Sequence, residues 1–462
     1  MTTAPGLPLE EGDGAALVAR GAAVVSRGEL RRLSDELSER LRREGIERAM
    51  VVSDDPVDVL RAIDACARAG ADLWIAHTNL SGAMLEDLST EFGVQLRIGA
   101  RDEVLAGAGP GIDARGPGAG LAGAGLAGAE QAGHGRASFD GPRARVFMMT
   151  SGTTGRPKVA AHTLGSLLAK VRTSVSVSAN REGRWLLTYQ PTGFAGVQVM
   201  LTATLSHGLI VVPEERTPQG FFEAARRWEV GQISGTPTFW RSFLMATPPG
   251  AIELRQITLG GEAVDQATLD RLKARFPAAR ITHIYASTEA GVVFAVHDGL
   301  EGFPKGWLEQ PVQGVELRLQ DDLLQIKTPN AMQGYLTEAA QPLLEGGWVA
   351  TADRCEIIGD RVRILGRQDS TINVGGSKVY PLAIEGFLLS LPGVVEAKVY
   401  GVPNPISGAL VGADVVLGPG SEPSEAKKAI LARCRAELAT YQVPRVFRVV
   451  DAIQVGTSGK KG

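Results

Sequence analysis

The chain has 462 residues, 44% hydrophobic and 21% charged, with a formal net charge of -3 and a pI near 6.2. That length predicts two or three domains rather than one core, and the slightly acidic balance argues against a broad basic face for nucleic acid or anionic membrane. The three dispersed cysteines, Cys66, Cys355 and Cys434, argue against a disulfide framework or a Cys-built zinc site and fit a reducing compartment. The opening MTTAPGLPLEEGDG is acidic and has no apolar stretch behind it, unlike a secretory signal. No run of about 18 apolar residues occurs, so no membrane span is expected. The expected location is the cytoplasm.

Leu30, Leu33, Leu37 and Leu41 recur at helical spacing and Gly45 stands at a stop position, so 29–43 is predicted as an amphipathic helix. A strand is predicted over 49–52. Ser53-Asp54-Asp55-Pro56 then caps a second helix that Gly70 ends, and a strand follows over 73–76. Strand, helix, strand at this length predicts a βαβ unit and a parallel sheet. Residues 105–136 form a Gly/Ala tract with too few large side chains to pack, read as a flexible linker or surface loop. From 144 onward alternating strands and helices are expected again, with strands over 146–149, 209–212, 257–259 and 281–285. Near 366 the chain turns polar (GRQDSTINVGG). Beyond it, strands over 397–400 and 411–417, a helix over 424–438 and a strand over 446–450 suggest a second, βαβ-like unit. A boundary at Gly366–Asp369 divides the chain into domains 1–366 and 367–462.

The segment carrying the most chemistry is Thr150-Ser151-Gly152-Thr153-Thr154-Gly155-Arg156-Pro157-Lys158, which follows a predicted strand. Glycines let a backbone approach a ligand; hydroxyls, free amides and a lysine can surround phosphate oxygens. It is a phosphate loop by composition but not a Walker A loop, because Pro157 separates Gly155 from Lys158. Four further segments stand out downstream: Gly260-Gly261-Glu262-Ala263, Tyr285-Ala286-Ser287-Thr288-Glu289, Trp348-Val349-Ala350-Thr351-Ala352-Asp353, and Gly366-Arg367-Gln368-Asp369 with Gly375-Gly376 after it. Gly456-Thr457-Ser458-Gly459-Lys460 closes the series.

Together these segments resemble, in order, the signature motifs of the adenylate-forming superfamily of acyl- and aryl-CoA synthetases, peptide-synthetase adenylation domains and firefly-type luciferases. The resemblance covers about residues 25–460. It implies an α/β fold, with a large N-terminal domain of parallel-rich sheets layered with helices and a small mobile α+β C-terminal domain. It also implies ATP, Mg²⁺ and coenzyme A (or a carrier protein's pantetheine) as cofactors. By resemblance, Thr150, Ser151, Gly152, Thr153, Thr154, Gly155 and Lys158 hold phosphates. Gly261, Glu262 and Ala263 line the adenine pocket with Tyr285, Ala286 and Ser287. Thr288 bonds the α-phosphate, Glu289 holds Mg²⁺, and Asp353 and Arg367 hold the nucleotide. Asp369 is the hinge, Gly375 and Gly376 form the thiol-side loop, and Lys460 is the adenylation lysine. Ala286 and Ala352 stand where the family has glycine.

The implied reaction is attack of a carboxylate on the α-phosphorus of ATP, then thioester formation. Charge neutralisation and positioning dominate such a step, and a mobile Lys460 can serve both anions. The acyl pocket is placed at Phe194, Gly196, Gly235, Gly260 and Gly291, with Ala286. The small residues there are read as leaving room for a bulky or aryl group. No Asp stands in the segment Tyr189–Gly196 to hold an ammonium, so the expected substrate is a hydrophobic, non-amino carboxylic acid. His162 is read as a structural residue at a helix start; His207, His283 and His297 receive no role. Two alternatives stay open: an acyl-AMP ligase that loads a separate acyl or peptidyl carrier protein or performs one half-reaction, and a non-catalytic nucleotide-binding protein on the same fold.

Overall fold

The computed structural model describes residues 7, 9, 14–105, 144–150, 156–172, 179–336 and 343–454. Within the Gly/Ala tract only Leu105 is described; Ser151–Gly155 and Lys460 lie outside the described residues.

Local signals set the first helices. Ser26 caps the helix Arg27–Arg43, its hydroxyl accepting from the Glu29 N–H at 3.1 Å, so the helix begins two residues before the leucine period suggests. The helix Pro56–Ala69 starts on an Asp55 carboxylate that accepts from the Val57 N–H, and ends at Gly70 with φ 75°, a conformation glycine adopts without steric cost.

Two large sheets organise the first 300 residues. One has eight strands, ordered Gly291–Val296, Arg280–Ser287, Gln256–Gly260, Gln232–Gly235, Arg184–Leu187, Leu209–Val212, Ala16–Arg20, Ala23–Ser26. Its six inner strands are parallel and both edges antiparallel. The other has seven strands, with Arg145–Thr150, Asp72–Ala76, Arg48–Val52 and Leu96–Ile98 parallel at its centre. Side chains alternate across each strand, and the packing follows that period. Leu73 and Ile75, with Val146 and Met148, enter the core between the sheets, shared with the helices Arg27–Arg43, Pro56–Ala69, Leu164–Arg172 and Phe194–Leu205. Trp74, Phe147 and Met149 point the other way, onto the helix Gly82–Phe92. Likewise Trp185 and Leu187 face the shared core, while Leu186 faces the helices Pro218–Arg227, Pro237–Ala246 and Gln266–Arg275. The result is layered helix, sheet, helix, sheet, helix.

The expected alternation of strands and helices stops at Ser287. The described residues of 291–374 contain only strands and three short 3-10 turns. Phe303–Pro304, Arg361–Arg367, Trp348–Ile358, Leu323–Lys327 and Glu316–Gln320 make a wholly antiparallel sheet. Two of its four pairings are tight hairpins, Glu316–Gln320 with Leu323–Lys327 and Trp348–Ile358 with Arg361–Arg367. Asp321 and Asp322 both take positive φ (53° and 63°), the two-residue turn that matches strand twist and leaves no room for a crossover helix.

The C-terminal part has its own sheet and core. Val394–Asn404 and Gly408–Leu417 form an antiparallel hairpin; Pro423–Glu437 then carries the chain to Val446–Val449, parallel to Gly408–Leu417. Ile384, Leu388, Val399, Val415 and Phe447 fill this core. The expected βαβ-like unit is therefore present, with a hairpin before it.

Candidate active site

In open parallel sheets ligands bind beyond the carboxyl ends of the strands. The sequence motifs fall there. Thr150 ends one strand; Gly260, with Gly261, Glu262 and Ala263 after it, ends another; Ser287, followed by Thr288 and Glu289, ends a third. The two large sheets present these ends on one side. His77, past Asp72–Ala76, sits with Nδ1 at 3.1 Å from Thr192 Oγ1, past Arg184–Leu187. Arg20 and Asp55, at ends of different sheets, pair at 3.7 Å.

Thr150 and Lys158, the two ends of the motif Thr150–Lys158, lie opposite each other on paired strands. The Lys158 ammonium stands 5.6 Å from the Tyr335 ring centroid, and the Tyr335 hydroxyl donates to Glu289 Oε1. Lys158 and Glu289, 131 residues apart, are thus brought to one aromatic ring. The backbone of their turn is held on both sides. His162 Nε2 donates to the Thr288 carbonyl at 2.9 Å and Met332 N–H donates to the Glu289 carbonyl at 2.8 Å. The Ser287 hydroxyl accepts from the Ala290 N–H at 3.1 Å. Burial pushes the His162 imidazole down to about 4, so it is neutral at pH 7. His162 belongs to the strand Lys158–Thr163, not to a helix start.

Tyr285 stacks one face on Phe294, with centroids 5.4 Å apart, and its hydroxyl donates to Asp353 Oδ2. Burial first, then the Asp353 carboxylate, raises the Tyr285 pKa well above its ordinary value. Asp353 faces Arg367 directly across the paired strands. Tyr285, Asp353 and Arg367 therefore form one cluster. Ala352, beside it, has φ 60°, the left-handed region that suits glycine. Ala352→Gly is expected to raise stability by about 0.5–1 kcal/mol, the relief of backbone strain exceeding the added chain entropy; urea unfolding measures it.

Glu262 is tied down. Its Oε2 accepts from the Thr238 N–H at 3.1 Å and the Thr238 hydroxyl at 2.8 Å, at the positive start of the helix Pro237–Ala246. Gly260 pairs with Ile284, so this turn lies beside the Tyr285 segment.

The spacing of small residues misleads at three pocket positions. A Cβ on Gly196 would stand 1.9 Å from the Gln190 carbonyl oxygen, one on Gly235 2.3 Å from the Phe239 ring, and one on Gly291 3.0 Å from the Asn330 carbonyl oxygen. Neighbouring protein atoms fill that space, so these glycines serve close packing and do not enlarge a cavity. Gly260 alone of the four is more open, its nearest atoms being 3.5–3.9 Å away. Phe194 opens the helix Phe194–Leu205 with its ring 5.9 Å from that of His162.

Asp369 is exposed in the 3-10 turn Gln368–Ser370, 3.8 Å from Arg367 Nε. Gly375 and Gly376 take φ 57° and 87° in a two-residue hairpin turn and have no protein atom near where a Cβ would sit. Both glycines are exposed.

No group of three or more His, Cys, Asp or Glu side chains able to hold a metal occurs among the described residues. A lone carboxylate such as Glu289 still suits Mg²⁺, which keeps water and phosphate oxygens as its other ligands. Tyr335 occupies one oxygen of Glu289, and a carboxylate retains further lone pairs. Sequence reasoning missed Tyr335, which lies in the two-residue edge strand Gly334–Tyr335 and carries no motif.

The profile described as AMP-binding enzyme matches residues 10–337, and that of the AMP-binding enzyme C-terminal domain matches 383–460. The chain belongs to the AMP-binding enzyme family. This AMP-binding enzyme is 26% identical over 331 residues to a 2-succinylbenzoate–CoA ligase of Bacillus velezensis, covering 68% of this chain and 66% of that protein. It is 28% identical over 346 residues to a benzoate–CoA ligase of Thauera aromatica, 68% and 64% of the two chains. A fatty acid–[acyl-carrier-protein] ligase of Mycobacterium marinum matches at 27% over 468 residues, 89% and 86%. The match thus spans about two thirds of the length of the two CoA ligases. Among solved structures, an anthranilate CoA ligase with anthranoyl-AMP superposes with TM-score 0.77 at 19% identity, covering 97% of this chain and 93% of that one; it shares the fold. No helix among the described residues is long and apolar enough to cross a membrane.

Proposed function

We propose that this AMP-binding enzyme activates a hydrophobic, non-amino carboxylic acid with ATP and passes the acyl group to the thiol of coenzyme A. The observation that carries the reading is the convergence of Lys158 and Glu289 on Tyr335, with Thr288 next to Glu289 in the chain and Tyr285, Asp353 and Arg367 clustered in the same fold. The names of the benzoate and 2-succinylbenzoate ligases support an acyl or aryl acid and coenzyme A.

In the first step a carboxylate oxygen of the acid bonds to the α-phosphorus of ATP, and the bond to the pyrophosphate oxygen breaks. Lys158 with Thr150 and the residues Ser151–Gly155 hold the phosphates, and Thr288 donates to the α-phosphate. Asp353 accepts from the ribose hydroxyls and Arg367 binds ribose or phosphate. Lys460 offsets the negative charge of the two approaching anions. Glu289 would hold Mg²⁺, which when bound would supply further charge neutralisation. Phe194 and Gly260 border the acyl group. In the second step the thiol sulfur attacks the acyl carbonyl, its proton leaves to solvent, and AMP departs. Asp369 is the hinge of a domain boundary at Gly366–Asp369, and rotation there brings Gly375–Gly376 to the site. The separate core of the C-terminal part supports that boundary.

The carrier-protein reading is the second one, favoured by the longer match to the acyl-carrier-protein ligase. ATP–pyrophosphate exchange against aliphatic, aryl and polycyclic acids tests both. We expect exchange with one acid class, lost about 10²- to 10³-fold in Lys460→Ala. Faster AMP release on adding coenzyme A supports the synthetase; indifference to it supports carrier loading. Exchange answering only to amino acids refutes the substrate class.

A further inference from the structure

Arg241 is a buried charge that the adenylation chemistry does not use. It is 3% exposed on the helix Pro237–Ala246, and all three of its nitrogens are engaged. Nε donates to Glu396 Oε2 at 2.7 Å, Nη1 to Asp265 Oδ2 at 3.0 Å and Thr268 Oγ1 at 3.2 Å, and Nη2 to Thr238 Oγ1 at 3.1 Å. The Thr238 hydroxyl, accepting from Arg241, passes its single proton on to Glu262 Oε2 at 2.8 Å. A hydrogen-bonded chain therefore joins Glu396 to Glu262 through Arg241 and Thr238, with donation running outward from Arg241 on both sides.

The two ends lie in different parts of the fold. Glu396 sits in the strand Val394–Asn404, 5% exposed, beside the C-terminal core. The Arg241 helix belongs to the core under the eight-stranded sheet, through Trp240 and Phe243. A second arginine fastens the same junction: Arg271 donates to the carbonyls of Leu389 at 2.7 Å, Val394 at 2.8 Å and Val395 at 3.4 Å. Links this buried do not break singly at low cost, because a charge or donor left behind must find a new partner. Polarised hydrogen bonds in series also respond to one another.

We propose that this chain couples the seating of the C-terminal part to the position of Glu262, making Arg241 and Thr238 positioning residues for the nucleotide turn. The proposal rests on the adenylation reading only in assigning Gly261–Ala263 to the nucleotide.

The full-length protein with Glu396→Gln, Thr238→Val and the pair together provides the test, with two readouts. One is the AMP dissociation constant by calorimetry. The other, without nucleotide, is hydrogen exchange of the amides in 394–399. Each single variant is expected to weaken AMP binding about threefold or more, and the double variant no more than the worse single. Thr238→Val, which keeps its shape, is expected to speed exchange at 394–399 about threefold or more, although it lies in the other core. Effects that simply multiply in the double variant, or exchange that does not change in Thr238→Val, overturn the coupling. A wild type that binds no AMP refutes the nucleotide assignment; faster exchange in Thr238→Val then still supports the chain itself, and unchanged exchange overturns it as well.

Discussion

Glu289→Gln is expected to slow acid-dependent ATP–pyrophosphate exchange about 100-fold while leaving the thermal midpoint within about 2 °C of wild type. The substitution keeps the shape of the side chain, and the turn that carries it is fixed by backbone groups. The Glu289 carbonyl accepts from Met332 and the Thr288 carbonyl from His162, and neither bond depends on the carboxylate. The Tyr335 hydroxyl, now donating to the carboxylate, finds the amide oxygen of glutamine in the same place. What is lost is one negative charge, the property a hard cation selects for. The defect is therefore expected to shrink as Mg²⁺ is raised, and Tyr335→Phe, which only frees one carboxylate oxygen, is expected to cost about tenfold. Exchange in Glu289→Gln at the wild-type rate, or a loss that Mg²⁺ does not touch, would refute the metal assignment.

Arg241→Met is expected to destabilise the protein by about 3–5 kcal/mol, read as a lower urea midpoint. Methionine fills most of the space but leaves the Glu396 and Asp265 carboxylates, both largely buried, without the guanidinium from which both now accept. Burial alone opposes the arginine charge, yet Glu396 and Asp265 outweigh it and hold the Arg241 pKa above its ordinary value. Combining Arg241→Met with Glu396→Met is expected to recover part of the loss, because an apolar pair of similar size leaves one fewer charge uncompensated. A single variant as stable as wild type would show that water reaches these carboxylates and that the pair is not a structural link.

The placing of the candidate motifs was legible because it is local. Thr150, Gly260 and Ser287, which open or precede three of them, each stand at the end of a strand expected from apolar runs, and the strand expected over 209–212 coincides with Leu209–Val212. The small residues of the acyl pocket were misread for a related reason. A missing side chain says only that something approaches closely; whether that is a ligand, as expected, or the Gln190 carbonyl, as found at Gly196, depends on residues elsewhere. The antiparallel segment after Ser287 was also hidden, since a strand's apolar run does not state which neighbour it pairs with.

The sequence by itself determined the first helices and strands and the order of the motifs, since periods of 2 and 3.6, caps and glycine turns act within a few residues. Tertiary structure alone decided the pairs: Tyr335 with Glu289, Tyr285 with Asp353, and Arg241 with Glu396, the last joined across 155 positions. A hydrogen bond or ion pair needs contact at about 3 Å. Contact between distant residues follows from how sheets and helices stack, which no local pattern encodes.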